Sequence, residues 1–344
     1  MIVEREFGTD DLAKVYVGRM GDHLIEFIES VQPPFSRLEK WVLVLSCMIG
    51  CPVRCLMCDA GQQCFGVLSK EQIFAQIDFM VRRRYPNGVV PAKKFKIQFT
   101  RMGEPVFNPA VLDVLEELPA RYDAPGLIPS FSTIAPKHDR GYFAKLTDIK
   151  NRLYANGKFQ MQFSIHTTDE AMRDRLIPIR KKSFGEIAEF GGRFFRASDR
   201  KITLNFIVME NYPIDPSVIR AYFDPAIFIV KLTPLNPTHA ARESGLTTMI
   251  DTGDVSPVAP LVEKLTQYGF ESIVSIGEAG ENQIGSNCGQ YTMVKERRAE
   301  EMALSLTRDS VQWSHANTRC HPNQTIRKGV EREEHFQGGA PENS

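Results

Sequence analysis

From about residue 40 to residue 276, short runs rich in β-branched and aromatic residues alternate with segments whose apolar positions recur at helical spacing. The runs predict strands at residues 41–45, 95–100, 128–133, 159–165, 202–209, 227–232 and 271–276. Between them, helices are predicted at residues 70–84, 109–118, 140–153, 184–195 and 257–268. The first carries apolar residues at Ile73, Phe74, Ile77, Phe79 and Met80. Strand and helix in alternation, about six times over, imply a parallel sheet, either doubly wound or curled into a full or partial barrel. In both arrangements the chemistry sits at the carboxyl ends of the strands.

The flanks read differently. Residues 1–40 look like a small β-rich extension, in which residues 22–31 form a strand ending at Pro33-Pro34. Residues 41–294 hold the alternating core. Residues 295–344 are polar, predicted helical at first and then disordered. No repeat of solenoid period is visible.

The chain has 344 residues, 42% of them hydrophobic, with 42 Lys+Arg balancing 42 Asp+Glu. That length fits two domains or one barrel with appendages, and the composition excludes a collagenous, coiled-coil or wholly disordered chain. Zero net charge removes the generic electrostatic argument for nucleic-acid binding. No apolar run approaches the roughly 18 residues of a membrane span, and residues 1–11 do not read as a leader, so a soluble cytoplasmic monomer is expected.

Five of the seven cysteines fall between Cys47 and Cys64. Directly after the first strand of the core, Cys51-Pro-Val-Arg-Cys55-Leu-Met-Cys58 has a C-x-x-x-C-x-x-C spacing in a loop. Three thiolates so close can hold three corners of a 4Fe-4S cube and leave one iron open to substrate or cofactor. The competing reading enlists Cys47 as fourth ligand of a closed zinc or electron-transfer site.

Further polar residues stand where strands end. Gly103-Glu104-Pro105 follows the second core strand, where glycine lets backbone approach a ligand and a carboxylate can accept bonds from an ammonium group. Ser132, Ser164, His166 and Asn236 lie near the ends of the third, fourth and sixth strands, so they converge on one mouth if the sheet curls. Cys288 lies in a loop after the last strand, far in sequence from the cluster.

Taken in order, the motifs resemble the radical-SAM superfamily and, within it, the rRNA adenine methyltransferases of the RlmN and Cfr group. They are the cysteine loop with Ala60-Gly61-Gln62-Gln63, then Met102-Gly103-Glu104-Pro105 with Asn108, and Phe131-Ser132-Thr133 with Pro136. Next come Phe163-Ser164-Ile165-His166 with Arg173-Asp174 and Pro178-Ile179, Pro234-Leu235-Asn236-Pro237, and Asn287-Cys288-Gly289-Gln290. The resemblance spans roughly residues 22–295. It implies a partial (β/α)6 TIM-like barrel of the radical SAM type, with the small β-rich N-terminal extension added. It also implies a 4Fe-4S cluster on Cys51, Cys55 and Cys58, and S-adenosylmethionine held by Gly103, Glu104, Ser132, Ser164, His166 and Asn236. Cys288 would be the methyl carrier, Glu29 a proton acceptor, and a flavodoxin or ferredoxin the low-potential electron donor.

The expected activity is methylation of an sp2 amidine carbon, as in adenine, within RNA or a small molecule. The alternative is hydrogen abstraction without methyl transfer. Two departures bear on the choice. The family's resolving cysteine falls at Val44, leaving Cys47 or Cys64 as relocated candidates. The RNA-binding helical domain that precedes this segment in the rRNA enzymes has no counterpart in the roughly twenty residues before it here, which disfavours ribosomal RNA. Basic residues of the tail, Arg319, Lys328 and Arg332, could supply contacts.

Overall fold

The structure is a computed structural model, and it describes residues 1–250 and 254–294. The expectations for the tail, including Arg319, Lys328 and Arg332, lie outside the described residues.

Three strands open the chain: β1 (Ile2–Gly8), β2 (Ala13–Met20) and β3 (His23–Ser30). They pair antiparallel in sequence, and β3 pairs antiparallel with β4 (Lys40–Leu45). A small separate hairpin follows, β5 (Met48–Gly50) with β6 (Cys64–Val67), and the cysteine loop is strung between its two strands. Then come α1 (Lys70–Arg84), β7 (Lys94–Phe99), α2 (Ala110–Arg121), β8 (Leu127–Thr133), α3 (Tyr142–Leu153) and β9 (Gln160–Ser164). The chain continues through α4 (Glu170–Leu176), α5 (Phe184–Phe194), β10 (Ile202–Val208), α6 (Pro216–Tyr222) and β11 (Phe228–Pro234). It ends with α7 (His239–Glu243), α8 (Ala259–Gln267), β12 (Ser272–Val274) and α9 (Ala279–Ile284).

One ten-stranded sheet results, in the order β1-β2-β3-β4-β7-β8-β9-β10-β11-β12. From β4 to β12 every pairing is parallel, so the α/β alternation read from the sequence becomes a curled parallel sheet with one strand more than six. Crossover helices explain the pairing, because parallel neighbours need a long return connection.

Helix α1 shows how sequence fixes an element. Ser69 and Gln72 form a reciprocal capping box at its start, and Ile73, Phe74, Ile77, Met80 and Val81 are buried on one face. Phe79 departs from the predicted stripe and packs edge-on against Tyr16 and Phe27 of the N-terminal strands.

Strand alternation divides the sheet into two faces. Trp41, Leu43 and Leu45 on β4, Phe95, Ile97 and Phe99 on β7, and Phe228, Val230 and Leu232 on β11 all join the main core. That core includes the helix residues Ile77, Leu115 and Ile187. The alternate positions of each strand therefore face the concave interior. Among the described residues, no helix is long and apolar enough to cross a membrane.

Candidate active site at the strand ends

The cysteine loop is held by backbone geometry. Asp59–Gln62 forms a single 3₁₀ turn that folds the loop back on itself, and a side chain at Gly61 would stand 2.6 Å from Arg54 Cα. Asn108 donates to the carbonyls of Cys47 (2.7 Å) and Leu68 (2.8 Å), fastening both ends of the hairpin. Beneath the loop, Val53, Met57, Ile134, Leu176, Ile177, Met209 and Leu235 form a second apolar cluster that touches Cys51 and Cys55. Ile179, from a motif otherwise unexplained, packs against this apolar bed, which limits water at the thiols.

Burial raises the pKa of Cys51 to about 12 and that of Cys55 well above the ordinary thiol value, with neighbouring cysteines and Glu104 adding to the rise. Burial does the same for Cys58, with Cys288 and Cys51 contributing. Three sulfurs that discourage one another's ionisation become thiolates together only against a cationic centre, so the donor set fits an iron-sulfur cluster. Among the described residues, no three His, Cys, Asp or Glu side chains converge on a single ion. In a cube each thiolate binds its own iron.

Cys47 stands apart from this loop. It is buried, its thiol lies 3.5 Å from the Met102 carbonyl, and burial then Glu104 push its pKa far up. Cys64 is exposed on β6, and all six described cysteines are free thiols. Val44 is half-buried against the small apolar cluster of Ala13, Val15 and Ile28.

Glu104 begins a 3₁₀ turn after β7. It accepts from Thr133 Oγ1 (2.5 Å), Ile134 N (3.0 Å) and Val106 N (3.1 Å). Burial lifts its pKa to about 7 against those three donors, and a bound ammonium would pull it down again. Gly103 makes the turn with φ near +105°, and a Cβ there would stand 2.5 Å from Met48 Cγ and 2.9 Å from Cys47 Sγ.

Ser132 accepts from Gln162 Nε2 at 2.9 Å, and Ser164 is half-buried beside Asn205 in register. His166 takes a left-handed φ of 67°, and its Nδ1 accepts from Ile207 N at 3.3 Å. Burial, with Arg173 nearby, lowers its pKa to about 3, so the ring is neutral. Asn236 donates to the Cys288 carbonyl at 2.9 Å and so braces the loop that carries the cysteine.

The Cys288 loop docks directly on the cysteine loop. Asp59 N donates to Gly289 O at 3.0 Å, and a Cβ at Gly289, where φ is +81°, would stand 3.0 Å from Met57 O. Thr238 Oγ1 donates to Met57 O at 3.1 Å. From beneath, Arg101 pairs with Glu26 and donates to the carbonyls of Gly285 (2.9 Å) and Asn287 (3.4 Å), while Tyr291 stacks on its guanidinium at 4.5 Å. Cys288 is exposed. Burial raises its pKa, and the charges of Lys231 and Arg101 oppose the rise.

Glu29 is not brought to this mouth. It pairs with Leu43 in register and therefore faces the helices, where it is 2% exposed and accepts from Tyr16 (2.5 Å), Trp41 (2.9 Å) and Arg84 (2.7 Å). The expectation of a proton acceptor there is corrected by strand periodicity: Glu26, an odd number of residues away, is the carboxylate on the mouth side. No sequence signal pointed to Arg101, Glu26 or Tyr291. Thr133 sat inside a noted motif, and Asp59 and Thr238 flanked two others.

No known protein-family model matches the chain. It is 26% identical over 307 residues to a protein described as "probable dual-specificity RNA methyltransferase RlmN" from Desulfitobacterium hafniense, covering 83% of this chain and 77% of that one. It is 25% identical over 288 residues to the dual-specificity RNA methyltransferase RlmN of Paramagnetospirillum magneticum, covering 80% and 59%. Against these relatives the chain thus spans from little more than half to about three quarters of their length. In fold it matches a radical SAM methyltransferase from Sphaerobacter thermophilus, with a TM-score of 0.64 and 19% identity over 84% of this chain and 80% of that one. The resemblance to the RlmN and Cfr group is supported by these relatives, and the fold is that of the Sphaerobacter thermophilus structure.

Proposed function

We propose that the protein is a carbon methyltransferase in which Cys288 carries the methyl group to an sp2 amidine carbon of an adenine-like substrate. The observation that carries this reading is the docking of Gly289 on Asp59, which fastens the Cys288 loop to the cysteine loop.

When bound, the cluster and S-adenosylmethionine supply the electron, the methyl group and the carbon radical. Cys51, Cys55 and Cys58 would hold the cluster, and Gly103 with Glu104, Ser132, Ser164, His166 and Asn236 would border the cofactor. Glu104 presents a buried carboxylate for an ammonium group. The neutral ring of His166 offers an uncharged edge. Lys231 and Arg101 oppose the burial that raises the Cys288 pKa, and the thiolate sulfur would take the methyl group of S-adenosylmethionine by displacement, its lone pair forming the new S–C bond as the methyl–sulfonium bond breaks and S-adenosylhomocysteine leaves with that electron pair. The apolar bed under the cysteine loop excludes water from the reacting centre.

The test is peptide mass spectrometry of Cys288 after anaerobic cluster reconstitution and incubation with methyl-deuterated S-adenosylmethionine. A deuterated methyl on that sulfur is expected. An unmodified Cys288 in a protein that still yields 5'-deoxyadenosine would turn the assignment to the second reading, hydrogen abstraction without methyl transfer. Valine at position 44 and the burial of Cys47 under Gly103 favour that second reading, since they leave Cys64 as the one relocated candidate for a thiol partner of Cys288.

A further inference from the structure

The concave face of the parallel sheet is cationic. By strand alternation its positions include Lys40 on β4, Lys94 and Lys96 on β7, and Lys231 on β11, and none of the lumen-facing positions of the parallel strands is Asp or Glu. Lys40 and Lys94 are register partners, so two like charges stand side by side on adjacent strands, an arrangement that costs stability. Lys96 is only 9% exposed, and among the described residues no salt bridge or side-chain hydrogen bond is made by Lys94, Lys96 or Lys231. Burial, and then Lys231, Lys94, Lys40 and Arg200, push the Lys96 pKa down to about 7.

A second, independent feature lies in the same wall. Asn205, the register partner of both Ser164 and Lys231, is 8% exposed, and its Oδ1 is buried without a hydrogen-bond partner. Buried polar atoms and buried cations without partners are costly, and a wall that keeps Asn205 Oδ1 and several lysines in that state is built for a group that supplies the missing partners. The group must be an anion that also carries a donor.

We propose that the barrel interior is the subsite for the terminal anionic group, a phosphate monoester, of a small-molecule substrate whose reacting carbon lies at the mouth beside Cys288. This rests on the reading of the mouth as the reacting centre. Lys96 and Lys231 each lie three residues before the end of their strands, about 10 Å below the mouth at the rise of a strand. A nucleoside monophosphate spans that depth, with its base at the mouth and its phosphate between Lys96 and Lys231, and a ribose hydroxyl can donate to Asn205 Oδ1. Lys231 is within electrostatic reach of both Lys96 and Cys288, so one residue links the two ends of the substrate. An internal phosphodiester of RNA would need chain to enter and leave a lumen whose mid-depth residues Val42, Ser130 and Thr203 are buried. That favours a terminal group.

The test is calorimetric titration of the anaerobically reconstituted full-length protein with adenosine monophosphate, adenosine, inorganic phosphate and a single-stranded RNA oligonucleotide. Adenosine monophosphate is expected to bind at least tenfold more tightly than adenosine, with inorganic phosphate competing. Lys96→Met and Lys231→Met should each remove most of that difference, while the exposed Lys158→Met leaves it intact. Thermal melts of the variants show whether they fold, and Lys96→Met is expected to melt at or above the wild-type temperature because it removes a buried, uncompensated charge. Equal binding of adenosine and its monophosphate, or full binding by a folded Lys96→Met, would overturn the subsite. Preference for the oligonucleotide over the monophosphate would overturn the small-molecule assignment. None of these titrations requires turnover, so a failure of the methyl-carrier assignment leaves their outcome unaffected.

Discussion

Glu26 and Arg101 form an ion pair in which the carboxylate side chain is 0% exposed and the guanidinium side chain 2% exposed. Glu26 also accepts from Met293 N at 2.7 Å, so the pair ties β3, the loop after β7 and the segment following Cys288 into one knot. Removing one partner strands a buried charge, which typically costs about 3–5 kcal/mol. Arg101→Met is expected to lose stability in that range in urea denaturation and to expose the 285–293 segment to limited proteolysis. The double variant with Glu26→Gln should recover part of the loss. A single variant as stable and as protease-resistant as wild type would mean that the Cys288 loop is held by its contacts to Asp59 and Asn236 alone.

Glu29 gives the opposite expectation. Its carboxylate serves Tyr16, Trp41 and Arg84 on the helix side of the sheet. Glu29→Gln should lower the melting temperature while leaving the rate of 5'-deoxyadenosine formation per folded molecule unchanged. A large loss of that rate in a fully folded variant would return Glu29 to the chemistry.

At Gly103 a methyl group has nowhere to go, with Met48 and Cys47 at 2.5 and 2.9 Å and φ near +105°. Gly103→Ala is expected to shift the Glu104 turn and weaken S-adenosylmethionine binding at least tenfold by calorimetry, a change of about 1.4 kcal/mol. Unchanged affinity would mean that this turn does not position the carboxylate for the ligand.

The pH dependence of stability has a defined direction at His166. Its folded pKa of about 3 lies below the ordinary histidine value of 6.5, so between those values the unfolded chain binds the extra proton. Stability from this group is complete above pH 6.5 and falls as pH drops toward 3, by up to about 1.4 kcal/mol per unit. Comparing urea midpoints of wild type and His166→Asn from pH 7 to 5 isolates this contribution, since asparagine tolerates the left-handed backbone and does not titrate. Parallel curves for the two proteins would show that His166 is protonated in the fold.

The order of strands and crossover helices was legible because buried parallel strands are near-continuous apolar runs and their helices carry one apolar stripe. That Cys51, Cys55 and Cys58 share one loop was legible because their spacing is local in sequence. The side of a strand on which a glutamate falls was not. Glu29 matched a motif, yet a register known only from pairing with Leu43 turns it toward the helices and leaves Glu26 at the mouth. The hairpin β5–β6 was missed because three- and four-residue strands leave almost no periodicity to read. The lysines of the lumen were invisible for a related reason. Lys96 and Lys231 look like ordinary polar interruptions until the sheet curls and sets them against each other.

The docking of Cys288 has a consequence in time as well as in space. The cysteine loop is complete, with its hairpin and its Asn108 fastening, once residues 47–108 have been made, whereas Cys288 is held by Glu26 through Arg101 and by Asp59 through Gly289. Contacts between the early and late parts of the chain form last, because the long loop they close must first be ordered. A growing chain therefore completes its cysteine loop well before Cys288 is seated. On the proposed function, a molecule that stalls before residue 285 would hold the parts that make a radical and lack the part that receives it.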